Sequence, residues 1–368
     1  MPTLCILALA GATATSRADV PRVTSDIPPV HSLVAHVMGE LGQPSLVVRP
    51  GASPHGHALR PSEAAALEAS DVVFWTGAVL TPWLAREIGK LAPDAVSVEL
   101  MALPGTHRLA LRTGATTDGH GHGHGGDDGV DAHGDDVRDG DLHEDTHSGD
   151  AHGDDIHGGD VHGDERHDGG EIVIGEAGAP SADASSHDPH GWLDPSNAMR
   201  WLDEIAAVLA RLDPANAAVY RANAVEGRRE LEALVIRTGE RLAPVRGRNF
   251  VVFHDSFRYF EERFGINAVA ALSPSDASDA SPARVHDVRS TIEGLDTVCV
   301  FTEPQLDDRR ARVVVSGLDV GRGVLDPLGA TLEPGPDLYE RLVDGLTRSL
   351  VDCLAAPTGS AGDPSSTG

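Results

Sequence analysis

The sequence predicts an α/β fold of two lobes, each a mainly parallel sheet flanked by helices, joined by one long helix. Three observations carry this expectation. Short β-branched runs alternate with helical patterns in both halves of the chain, as βαβ units do. Residues 213–242 hold no strand pattern and are rich in Ala, Arg, Glu and Leu. A segment of about 105–187 breaks the alternation once and contains almost no large apolar residues.

Residues 1–18 begin with an apolar run from Leu4 to Ala14. Crossing a bilayer takes about 20 apolar residues, so this run fits the central part of a secretory signal, with small residues at the cleavage positions near Ala18. It departs from the usual pattern in having no Lys or Arg ahead of it. Export across the cytoplasmic membrane is expected, with no direct membrane insertion.

The first lobe, 19–212, has strand patterns at 20–27, 45–48, 71–76 and 96–100, with helical patterns at 32–41, 61–69 and 81–91 between them and 195–211 after the insert. The linking helix, 213–242, opens with Pro214 after Asp213, a start signal. Its apolar positions are Val219, Ala222, Leu231, Leu234 and Ile236; it would be a rod of roughly 40 Å. The second lobe, 243–356, repeats the alternation, with strands at 249–254, 267–272, 297–302 and 320–325. Its helices are expected at 257–264, 282–294, 308–316 and 336–353. Residues 357–368 read as a disordered tail.

Charge narrows the function. There are 29 Lys+Arg against 57 Asp+Glu, a net charge of −28, and Lys90 is the only lysine. Nucleic acid is excluded as a partner, because phosphate contacts need clustered cations, and anionic lipid is disfavoured on the same ground. Residues 118–168 alone hold seventeen acidic groups, two arginines and ten of the 19 histidines. The histidines are His120, His122, His124, His133, His143, His147, His152, His157, His162 and His167. Such a composition cannot offset the entropy of folding, so disorder is expected there. Ten imidazoles among carboxylates would bind divalent transition metals weakly at many places.

Outside the insert, donors fall in four short stretches. His55 and His57 lie in Pro50-Gly-Ala-Ser-Pro-His-Gly-His57, after a strand. His190 lies in His187-Asp-Pro-His-Gly-Trp-Leu-Asp-Pro195, entering a helix. His254 ends the strand Val251-Val-Phe-His254, and Asp326 ends another. Three of these stretches sit at or just past strand C-termini, where open α/β sheets bind ligands. Any one histidine is more simply a packing residue, but several at one edge of both lobes point to a metal site in the cleft between them. Nitrogen donors with one carboxylate suit four-coordinate zinc; a carboxylate-rich set would suit manganese. Once a signal is removed, the cysteines left are Cys299 and Cys353. They are either an even pair that bridges in an oxidising compartment or two buried thiols that never meet.

These motifs carry a resemblance. Gly51-Ala-Ser-Pro-His55 with Leu59-Arg-Pro-Ser62, His190-Gly-Trp-Leu-Asp-Pro195, Phe253-His-Asp255 with Tyr259-Phe-Glu261, Cys299-Val-Phe-Thr-Glu-Pro-Gln305 and Leu325-Asp-Pro-Leu-Gly329 run in one order across the chain. In this the chain resembles the zinc-specific, ZnuA-like solute-binding proteins of bacterial ABC importers. The resemblance implies zinc in the cleft, His55, His190 and His254 as histidine ligands, and Asp326 at the carboxylate that completes the site in related binders. It also implies a disulfide between Cys299 and Cys353. His57 falls where an aromatic is common in the family and stands as an alternative ligand; His187 precedes the second ligand by three residues. His31 and His36 read as surface groups or groups behind the site. Trp192 and Phe253 read as core residues that fix the histidines beside them.

The function so implied is not enzymatic. A monomeric periplasmic receptor captures Zn²⁺ and hands it to an ABC-type permease with its ATPase, while the His-rich loop gathers or buffers zinc. The rival readings are a manganese or iron binder of the same fold, a zinc metallohydrolase, and a plain zinc store.

Overall fold

The computed structural model describes residues 20–112, 187–273, 281–297, 299–305 and 309–356. The expected signal, the ten loop histidines and the tail lie outside these residues.

Two four-stranded sheets, wholly parallel, organise the chain. The first contains β1 (Val23–Ser25), β2 (Ser45–Leu46), β3 (Val72–Trp75) and β4 (Val96–Glu99) in the order β2-β1-β3-β4. Helices α1 (Pro28–Met38), α2 (Pro61–Glu68) and α3 (Pro82–Leu91) alternate with these strands. The second sheet contains β5 (Phe250–His254), β6 (Ala268–Ser273), β7 (Cys299–Thr302) and β8 (Gly321–Val324) in the order β6-β5-β7-β8. Between the sheets in sequence come α4 (Pro195–Leu212) and α5 (Ala217–Leu242); α6 (Arg258–Phe264), α7 (Pro282–Gly294), α8 (Arg309–Val315) and α9 (Leu338–Leu354) belong to the second half.

Proline in the first helical turn starts α1, α2, α3, α4 and α7, since a missing N–H costs nothing where no intrahelical partner exists. The expected start of α1 at 32 is corrected to Pro28 for that reason: both prolines of the pair fit inside the first turn. At Pro214 the outcome differs. A single 3-10 turn, Pro214–Asn216, comes first, and Asp213 Oδ2 anchors it by accepting from Asn216 Nδ2 at 2.6 Å and Tyr220 Oη at 2.9 Å.

The buried face of α5 is Tyr220, Ala224, Gly227, Leu231, Leu234, Thr238 and Leu242. Steps of three and four make it a narrow seam, so Val219 and Ile236, expected among its apolar contacts, are exposed. Gly227 belongs to the seam because of what approaches it. A Cβ there would lie 2.8 Å from the His36 ring and 2.9 Å from Leu202 Cδ1, so α1 and α4 close on α5 only over a bare backbone.

Both sheets lie within one compact unit of the chain, which also takes in α4 and α5. The largest apolar core runs without a break from Val23 and Val34 through Trp201 and Leu234 to Phe250, Leu342 and Leu354. Ser32 on α1 seals this junction, donating to Pro336 O at 2.8 Å and accepting from Tyr339 N at 3.0 Å. Cys299 of β7 and Cys353 of α9 form a disulfide.

Residues 105–112, expected to be part of the unstructured insert, are ordered. Thr106 Oγ1 donates to Leu100 O, His107 N donates to Asn197 Oδ1, and Ala110 forms an antiparallel bridge with His187. Polar backbone that would otherwise be orphaned finds partners here. Among the described residues no helix is long and apolar enough to cross a membrane.

Candidate metal centre

His55 sits on the loop between β2 and α2. One buried carboxylate, Glu63, fastens that loop at three points: Arg49 Nε at 3.2 Å, His57 Nε2 at 2.9 Å and the Arg60 N–H at 2.9 Å. Burial pushes the Glu63 carboxyl up, but the Arg60 amide, the His57 ring and Arg49 outweigh it and hold it below its usual range. Trp83 on α3 donates its Nε1–H to Pro54 O at 2.8 Å, and the His55 N–H donates to Ser53 Oγ at 3.2 Å.

His190 precedes a 3-10 turn, Gly191–Leu193, that leads into α4. Asp188 Oδ1 accepts from both the His190 backbone N–H, at 2.9 Å, and its Nδ1–H, at 2.7 Å. That bond fixes the tautomer and leaves Nε2 with the lone pair a metal needs. Beneath the turn Met101 Sδ fills the space that a Cβ on Gly191 would need, so a larger residue there would make Met101 shift. Trp192 is buried, with its indole N–H on Pro327 O and its ring 5.2 Å from that of His190.

His254 is the last residue of β5, buried, with Nδ1 3.4 Å from Oε1 of the equally buried Glu303. Phe253, also buried, packs on the opposite face of the strand in a separate apolar cluster.

The three histidines converge. Each of His55, His190 and His254 offers a ring nitrogen within 4.8 Å of the other two. His190 and His254 lie with ring centroids 4.9 Å apart, and His55 stands 5.8 and 5.9 Å from them. His55 is half-buried while the other two are almost wholly enclosed. Three imidazoles from three separate segments form a nitrogen-donor set that fits zinc with one coordination position left over.

The structure does not bring the other expected residues into the group. His57 is spent on Glu63 and lies beside Trp83, with centroids 5.4 Å apart. Asp326 is turned to its own backbone: its two oxygens accept from Leu328, Gly329 and Ala330 N–H and from Gln305 Nε2, at 2.6–3.1 Å. Three of these bonds fall on Oδ1 and one on Oδ2, so the carboxylate closes a turn. His31, expected at the surface or behind the site, is buried with Nε2 3.1 Å from Pro44 O, and burial lowers its pKa. His36 is held at Asn223 O, and His187 belongs to the bridge with Ala110.

Reasoning from sequence missed Asp188 as the orienting group for His190, although its signal was present: a carboxylate two residues before a candidate ligand. It also missed Arg112, which no motif marks. Arg112 reaches Asp255 Oδ1 at 2.8 Å and Glu261 Oε2 at 2.5 Å. Burial pushes the Glu261 carboxyl up to about 6, against the pull of that guanidinium.

Two parallel sheets flanked by helices, with three imidazoles gathered from both halves, define a metal-binding α/β protein. The family described as zinc-uptake complex component A, periplasmic, matches residues 23–353, and the chain belongs to that family. Its relatives include the high-affinity zinc uptake system protein ZnuA of Paracoccus denitrificans, 38% identical over 96% of this chain and 99% of that protein. The protein of the same name from Brucella suis is 38% identical over 90% of this chain and 91% of its own length. Among solved structures, a zinc-bound ZnuA deletion mutant shares the fold with a TM-score of 0.65 at 20% identity, over 92% of this chain and all of that one. So does a manganese-bound solute-binding protein of Pseudomonas aeruginosa, FpvC, with a TM-score of 0.65 at 18% identity over 91% of this chain and 99% of that one.

Proposed function

We propose that this chain is the periplasmic receptor of a high-affinity zinc uptake system, capturing Zn²⁺ with His55, His190 and His254 and delivering it to an ABC-type permease driven by its ATPase. The observation that carries the reading is the convergence of three imidazoles within 4.8 Å, with a carboxylate behind each of the two buried ones. No bond is made or broken. The fourth position belongs to water or to an incoming group during transfer, because Asp326 is committed to its turn. Protons compete for imidazole, so zinc affinity falls as pH drops through the histidine range. In this reading α5 joins two lobes, residues 1–18 are removed on export, and the receptor works as a monomer. The ten histidines of 118–168 serve as weak sites that gather zinc near the tight one.

A donor group with no carboxylate in it favours zinc over manganese or iron. Titrating the mature protein with Zn²⁺ against a competing chelator, beside a variant with His55, His190 and His254 all changed to Ala, tests the proposal. One tight equivalent lost in the variant, above weak sites common to both, is the expected result. Identical weak binding in both would leave only a zinc store. Deleting residues 118–168 should remove weak sites and spare the tight one.

A further inference from the structure

Helix α6 of the second half takes hold of the two segments at the root of the insert, and the returning one leads directly to His190. The outgoing segment, 109–112, and the returning one, 187–188, meet at an isolated bridge: Ala110 bridges His187, and Asp188 N donates to Leu109 O at 2.8 Å. The buried phenol of Tyr259 reads both segments at once. Its oxygen accepts the Leu109 N–H at 2.9 Å and donates to Asp188 O at 2.8 Å. Arg258 donates to Ala110 O, and Arg112 spans from the outgoing segment to Asp255 and Glu261. Asp188, whose carbonyl Tyr259 holds, is the residue whose carboxylate orients His190; Asp255, which Arg112 holds, follows His254 in sequence.

We infer that Tyr259 and Arg112 are positioning residues for the metal site: the clasp they form across the insert root holds His190 and His254 in mutual register, and it does so from opposite directions. Tyr259 acts through Asp188 on the first imidazole, and Arg112 acts through Asp255 on the strand end that carries the second. Neither touches the metal. The short separation of the His190 and His254 rings, against the longer distances to His55, is what such a clasp would maintain. The inference rests on the zinc reading of the three histidines.

The test loads the full chain with one equivalent of Co²⁺ or Zn²⁺ and follows release to excess chelator by stopped flow. Tyr259→Phe removes both hydrogen bonds at nearly constant volume; Arg112→Gln removes the charge independently. Each is expected to bind one equivalent but to release it roughly tenfold faster, as loss of groups that orient ligands commonly does, with a changed Co²⁺ visible band. Arg112→Lys should restore part of the slow release. Ile88→Ala, which empties part of a separate apolar cluster on the first half, should lower the melting temperature yet leave release and band as they were, so a mere loss of stability is separable. Release at the wild-type rate with an unaltered Co²⁺ band in both Tyr259→Phe and Arg112→Gln overturns the clasp. A tight equivalent absent from the wild type, or retained in His190→Ala, overturns the zinc reading and the clasp with it.

Discussion

Asp188 Oδ1 accepts two hydrogen bonds from the same residue, the backbone N–H and the ring Nδ1–H of His190, so one oxygen sets both where the histidine sits and which way its ring faces. Asp188→Ala should weaken zinc binding by about 10- to 100-fold, the usual cost of losing a partner that orients a ligand. Asp188→Asn, which keeps an acceptor without the charge, should lose less. Chelator competition measures both.

Asp326 separates a ligand from a turn. Its oxygens hold three backbone amides and Gln305, so Asp326→Ala should cost stability of about 1–3 kcal/mol by stranding those donors. It should still bind one tight zinc. Denaturant unfolding and zinc stoichiometry on the same variant give the two numbers; loss of the tight equivalent with unchanged stability would reverse the assignment.

His254→Glu should lower zinc affinity and raise the manganese-to-zinc preference, because it replaces a borderline nitrogen donor with a hard oxygen. The gain for manganese is limited by a local cost: the new carboxylate would face Glu303, now 3.4 Å from the His254 ring. Competitive binding of the two metals reports the ratio.

Glu261 makes stability depend on pH. Its folded pKa, about 6, lies above its ordinary 4.5 because the side chain is buried, so the folded state holds its proton more tightly than the unfolded chain does. The resulting penalty on folding is fully present above about pH 6 and disappears as pH falls towards 4.5. Arg112 offsets it. Zinc-free Arg112→Ala should therefore lose more stability at pH 8 than at pH 5, measured by thermal melting at both.

Reducing the Cys299–Cys353 disulfide releases a loop spanning 54 residues of sequence separation. In the chain-entropy description this should cost roughly 4 kcal/mol, visible as a lower denaturation midpoint in the presence of dithiothreitol.

Much of this was written locally in the chain. The α7 boundaries, 282 to 294, follow from Pro282 and Gly294 at its ends, and β5 ending at His254 follows from a run of β-branched and aromatic residues closed by a polar one. The three histidines that converge were legible as candidates because each stands beside a turn signal at a strand or helix edge. What could not be read depended on partners distant in sequence. In the sequence His57 and Asp326 are as polar and as well placed as His55, His190 and His254, and only the fold shows that Glu63 and a row of backbone amides engage them. The inward face of α5 is likewise decided by α1 and α4, which select Gly227 and leave Ile236 in water. Tyr259 stands in the sequence as part of the Tyr259-Phe-Glu261 motif, and its two hydrogen bonds exist only because α6 lies against the insert root.

The shared core under α1, α5 and α9 has a consequence for how the chain can be divided. Either half made alone would expose the apolar surface that Val34, Leu234 and Leu342 now cover for one another, and would strand the Ser32 hydroxyl. Separately expressed halves should be insoluble or molten, and the intact protein should melt in a single cooperative transition. A binder built in this way is one thermodynamic object: what loosens the second sheet also loosens the loop that carries His55.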